Sequence, residues 1–114
     1  MTLLNDIQVW TIACDYRRLL PCRGVGVLLP DGVQAALFRL DDGSLYAVGN
    51  IDPFSGAAVM SRGIVGDRGG RATVQTPIKK QAFALDDGVC LDEPDAALPV
   101  YATRIVDGYV EVGA

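Results

Sequence analysis

The sequence predicts an all-β fold, a sandwich of short antiparallel strands. Two observations carry that prediction. Aspartate–glycine pairs recur at Asp31-Gly32, Asp42-Gly43, Asp87-Gly88 and Asp107-Gly108. Such pairs suit tight hairpin turns, because glycine takes positive φ and aspartate bonds its own backbone. Between them lie short runs rich in Val, Ile, Leu, Tyr and Phe, at roughly 8–12-residue spacing. Helical signals are thin by comparison.

The elements follow in chain order. Residues 9–13 (VWTIA) open the series, with Trp10 expected as a core aromatic. One helical turn follows in DYRRLLP, capped by Asp15 and stopped by Pro21. Strands are expected at 25–29 (VGVLL), 33–40 (VQAALFRL) and 44–48 (SLYAV). Beyond them, residues 50–70 (NIDPFSGAAVMSRGIVGDRGG) keep no strand pattern and hold five glycines and a proline. A loop of that length in a compact domain is usually functional or disordered, and its Ile51, Phe54, Val59, Met60, Ile64 and Val65 argue against disorder. Strands resume at 72–76 (ATVQT), 81–85 (QAFAL, with Phe83 in the core), 89–91 (VCL), 101–106 (YATRIV) and 109–112 (YVEV). Residues 93–99 (EPDAALP) read as a loop or single turn. The loops 50–70 and 76–81 flank one strand and are expected to meet at one end of the sandwich.

Composition bounds the function. The 114 residues fit one domain, 1–114, and 50% hydrophobic content supports a packed core. No window holds the roughly 18 consecutive apolar residues of a membrane span. The opening MTLLNDIQVW has no Lys or Arg and does not resemble a secretory signal. Cys14, Cys22 and Cys90 form no CxxC, so free thiols in a cytoplasmic protein are expected. Net charge is −4, the wrong sign for a nucleic-acid partner. The charge is uneven: residues 61–81 carry a net +4 and residues 86–114 a net −6. There is no histidine. That removes the Ser-His-Asp triad, the Cys-His pair and any imidazole metal site.

Several weak motifs yield to simpler readings. GVGVLL at 24–29 lacks the third glycine of a dinucleotide fingerprint and precedes a strand, not a helix. GDRGG at 66–70 is a glycine turn before it is an anion-binding nest. The pairs Asp41-Asp42, Asp86-Asp87 and Asp92-Glu93 miss the calcium-loop spacing, and the first two belong to Asp-Gly turns.

Two segments resemble the paired loops of a Rieske-type domain, the iron–sulfur-protein-type β-sandwich. Cluster-bearing members have C-P-H in the first loop and C-P-x-H-G-x-x-F in the second. Here IDPFSG (51–56) sets Asp52 at the cysteine position, keeps Pro53, and sets Phe54 at the histidine position. TPIKKQAF (76–83) sets Thr76, Lys79 and Lys80 at the cysteine, histidine and glycine positions, and keeps Pro77 and Phe83. A Rieske cluster needs two thiolates and two imidazoles, so the resemblance implies a fold without its [2Fe–2S] cluster. A narrower similarity, carried also by SRGIVGD (61–67), DDGVCLDEP (86–94) and VYATRIVDGYVEV (100–112), is to the small subunit of the cytoplasmic NAD(P)H-dependent nitrite reductase. It implies a large-subunit partner carrying FAD, a [4Fe-4S] cluster and sirohaem, which reduces nitrite to ammonium. No cofactor and no metal is then expected in this chain.

On that reading the two loops form a docking tip. Phe54 and Met60 supply apolar anchors, and Arg62, Arg68, Lys79 and Lys80 supply charge. The competing view of the charges is an internal Arg62–Asp67 pair with solvated lysines. A second function is a stand-alone, cluster-free interaction module that forms a weak homo-oligomer through an exposed edge such as YVEV. A third is an independent enzyme using Cys90 or Asp52, against which Cys90 reads as a buried thiol and Asp52 lacks a neighbouring catalytic partner.

Overall fold

The computed structural model describes residues 8–114. Nine strands are described: β1 (Trp10–Asp15), β2 (Gly24–Leu28), β3 (Gln34–Arg39), β4 (Leu45–Gly49), β5 (Ile64–Arg68), β6 (Arg71–Gln75), β7 (Ala82–Ala84), β8 (Val100–Val106) and β9 (Tyr109–Gly113). They form an antiparallel six-stranded sheet in the order β1-β9-β8-β4-β3-β2 and a three-stranded sheet in the order β5-β6-β7. The all-β expectation holds. The absence of a secretory leader was read from the first ten residues, and 1–7 lie outside the described residues.

The turn chemistry is the expected one. Asp107 and Gly108 both take positive φ between β8 and β9, at 52° and 83°. In the β3–β4 turn, Asp42 Oδ1 accepts the backbone N–H and the hydroxyl of Ser44. The Asp15 carboxylate accepts Arg17 N–H and caps a single 3-10 turn, Tyr16–Arg18.

Strand β3 explains the layering. Its residues alternate between two cores, as a period of two demands. Ala36 and Phe38 point to one core with Val48, Met60, Val74, Phe83, Leu85 and Cys90. Ala35 and Leu37 point to the other, with Leu19, Val27, Ala47, Val110 and Val112. The first core joins the small sheet to the large one. The large sheet curls around the second.

Four expectations need correction. Residues 50–70 are not one loop, because Met60–Arg62 form a 3-10 turn and Ile64–Arg68 form β5. Residues 89–91 make only isolated bridges, Val89 to Ala97 and Phe83 to Cys90. YVEV lies in β9, paired on both sides by β1 and β8, so it is no edge; the edges of the large sheet are β1 and β2. Trp10 is also not a core residue: it is half-buried, with the Arg104 guanidinium 4.0 Å above its ring and Arg104 also held by Glu111.

Candidate functional site

One end of the large sheet collects the residues of interest. The antiparallel register places the end of β4, the start of β3 and the start of β8 side by side, with Ala35 opposite Gly49 and Val48 opposite Val100. The chain leaves β4 into a loop held by buried Asn50. Its side chain accepts Ser61 N–H at 2.8 Å and donates to Gln34 at 3.2 Å. The Asp52 backbone closes the loop, donating to the Ala57 carbonyl and accepting from Gly56, both at 2.8 Å.

The second loop leaves β6. Thr76 N–H donates to the Gln81 carbonyl, and Lys80 N–H donates to the Thr76 carbonyl. Lys80 sits at φ 61°, the left-handed region that favours glycine. That conformation fits the position, where the Rieske pattern has a glycine.

The two loops meet through Asp52 and Thr76. Both side chains are buried, at 0% and 1% exposure, and the Thr76 hydroxyl donates to Asp52 Oδ2 at 3.2 Å. Ser55 donates to the same oxygen at 2.8 Å, and Phe54 N–H donates to Oδ1 at 2.9 Å. Burial pushes the Asp52 carboxyl up, but these hydrogen bonds outweigh it and hold it below its ordinary value. Asp52 is thus a buried carboxylate with both oxygens satisfied, stitching one loop to the other. Beside it, Phe54 packs on Phe83 with ring centroids 6.1 Å apart.

These side chains do not fit a [2Fe–2S] cluster. The two positions that would supply thiolates, Asp52 and Thr76, are hydrogen-bonded to each other. The two that would supply imidazoles are Phe54, packed on the core, and Lys79, which is exposed. No His, Cys, Asp and Glu group of three or more is gathered for a metal among the described residues.

The other singled-out residues scatter more than expected. Lys79, Lys80 and Arg62 are exposed and have no ion pair among the described residues. Arg68, at the turn end of the β5–β6 hairpin, pairs with Asp92 at 2.9 Å. Met60 has 0% exposure and belongs to the same buried core as Phe83, so it has no surface to offer. The Arg62–Asp67 pair does not form, and Asp67 instead accepts Gly70 N–H in the glycine turn. Cys90 is buried. Sequence reasoning counted Ile51 only as evidence against disorder and passed over Ile78; they are 44% and 47% exposed at this end. Their only signal is a branched apolar residue inside a loop, which strand alternation does not register.

Two sheets with paired loops at one end define a Rieske-like domain, and the Rieske-like [2Fe-2S] domain family matches residues 9–113. A nitrite reductase (NADH) small subunit of Escherichia coli K12 is 38% identical over 104 residues, covering 90% of this chain and 95% of that protein. A crystal structure from Mycobacterium tuberculosis, described as an NADH-dependent nitrite reductase small subunit, superposes with a TM-score of 0.93 at 71% identity. It covers 96% of this chain and 97% of that one. The chain belongs to the nitrite reductase (NADH) small-subunit family of Rieske-like domains. A nitrite reductase [NAD(P)H] large subunit of Klebsiella oxytoca is also 38% identical over 104 residues, 91% of this chain but 11% of that protein.

Proposed function

We propose that this chain is a non-catalytic, cytoplasmic small subunit. It docks through its two-loop tip onto a large subunit that carries FAD, a [4Fe-4S] cluster and sirohaem and reduces nitrite to ammonium. On its own the 1–114 domain turns nothing over, because the redox chemistry belongs to the partner's cofactors. The observation that carries this reading is the 38% identity to the Escherichia coli small subunit across 95% of its length.

The charge balance supports the tip as the contact. The acidic 86–114 segment takes up Arg68 through Asp92, and Arg71 through Asp86 and Asp87. Arg62, Lys79 and Lys80 are left without ion pairs among the described residues and free to face a partner, while Phe54 and Ile78 add apolar area on the two loops. Lys80 also holds a left-handed backbone at some strain where a glycine would have none, which favours a use for its charge. The tip fits an acidic face of the large subunit, and ordered charges of this kind set register and association rate.

The test is Lys79→Glu with Lys80→Glu, read as affinity for the large subunit and as nitrite turnover by the mixture. We expect affinity to fall about tenfold or more. Lys80→Gly, which keeps the turn and removes one charge, is expected to fall between the two. Unchanged affinity with full turnover in the reversed variant would sink the docking tip. Turnover by the isolated chain would sink the non-catalytic assignment.

A further inference from the structure

A groove of about 280 Å³ opens at the same end of the large sheet, lined by Val33, Gln34, Asn50, Ile51, Pro99 and Tyr101 among others. Its apolar wall is exposed, with Val33 at 38% and Ile51 at 44%. Ile51 directly precedes Asp52, so the groove continues the tip. Val9 and Ala114 exchange backbone hydrogen bonds at 3.1 and 3.2 Å. Ala102 pairs with Gly113, which brings Ala114 alongside Tyr101 on the groove's rim. Strands β9 and β4 run in the same direction, since each is antiparallel to β8. A covalent connection at either Val9 or Ala114 would therefore leave from one place, pointing toward the groove end.

The Klebsiella oxytoca large subunit carries a segment similar to nearly all of this chain within its own polypeptide. There, the similar segment and the rest of the large subunit are held at one copy each by the polypeptide itself; a segment folded as this chain is would be joined beside the groove. We propose that the Val33–Ile51–Pro99 groove is the second half of the large-subunit interface, and that the two chains assemble one to one. This rests on the small-subunit reading above and adds to it an apolar patch and a stoichiometry. Apolar burial supplies affinity at such a patch, while the charged tip steers. The occupant is the body of the large subunit, because that is the polypeptide joined to this domain in the relative.

The experiment uses the co-expressed complex. Native mass is expected to give one small chain per large chain; any other ratio overturns the stoichiometry. Val33→Glu with Ile51→Glu, both exposed substitutions, is expected to weaken assembly of the separate chains about tenfold or more. The same pair placed in a single-chain fusion, joined after Ala114 through a short flexible linker, is expected to recover nitrite turnover, because tethering raises effective concentration to about the millimolar range. A variant that had merely misfolded would not be rescued, and failure of rescue overturns the groove. If the groove variant binds normally while Lys79→Glu with Lys80→Glu does not, the groove falls and the tip stands. If neither variant affects binding, both fall.

Discussion

At the scale of single residues, Asp52 decides how a loop pair shaped for four ligands survives without them. A buried carboxylate needs compensation for lost solvation, and it has three donors, from Phe54, Ser55 and Thr76. Asp52→Ala would strip one acceptor from all three, two of them side-chain hydroxyls. We expect a loss of about 3 kcal/mol, since hydrogen bonds to a charged group are worth more than neutral ones and their orphaned donors stay desolvated. The pH dependence has a definite sign. The folded carboxyl lies below its ordinary value. Its stabilisation is therefore present above the unfolded value, about 3.9, and is lost as pH falls through the lowered folded value. Urea titrations of both proteins should show a stability gap that is wide at neutral pH and narrows in strong acid. A gap of constant width down to pH 2 would mean that the charge on Asp52 contributes nothing. The sequence identified Asp52 as a displaced ligand position, yet it could not reveal the bond to Thr76, 24 residues away. That the two loops meet was expected; which side chains bond across them is set by packing, not by spacing along the chain.

At the scale of elements, most strands were legible because hairpins in this fold obey local rules. Asp-Gly fixes the turn, and alternation fixes the face. Strand β3 was legible for a different reason, as a continuous apolar run buried on both sides. Strand β5 was not. Its IVGDR is largely exposed and contains a glycine, so no face shows in the sequence. It is held instead by pairing with β6 along five residues, Ile64 opposite Gln75 through Arg68 opposite Arg71. Met60 was misplaced for a related reason. A methionine in an irregular stretch looks like surface anchor material until a second sheet covers it. The Met60–Arg62 turn that leads into β5 approaches the first sheet at a glycine. A Cβ on Gly24 would run into the Ser61 carbonyl and lie 2.6 Å from Phe38 Cε1, whereas one on Gly26 would meet only Ser61 Oγ, at 3.9 Å. Gly24→Ala is therefore expected to cost about 1–3 kcal/mol, by overpacking against backbone that cannot yield. Gly26→Ala should stay within about 0.5 kcal/mol. Thermal melts of the two variants compare them directly; equal melting temperatures would show that β2 does not press on the Met60–Arg62 turn.

At the scale of the whole molecule, net charge and local charge point in opposite directions. The chain carries −4 overall, so a distant acidic surface repels it. The tip is cationic because its neighbours' charges are already spent on one another, Arg68 with Asp92 and Arg71 with Asp86 and Asp87. Which charge a partner feels depends on distance against the screening length, about 10 Å at 0.1 M salt and about 3 Å at 1 M. At 0.1 M, charges farther than about 10 Å from the contact are largely screened, whereas lysines docked against an acidic face would still be attracted to it. The association rate with the large subunit is therefore expected to fall as salt rises from about 0.1 to 1 M, several-fold for the unmodified chain. Lys79→Glu with Lys80→Glu should reverse the slope, because added salt then relieves repulsion. Stopped-flow mixing over that salt range measures both slopes. A flat response from the unmodified chain would mean that the exposed lysines do not face the partner, and that the apolar wall at Val33 and Ile51 guides docking without them.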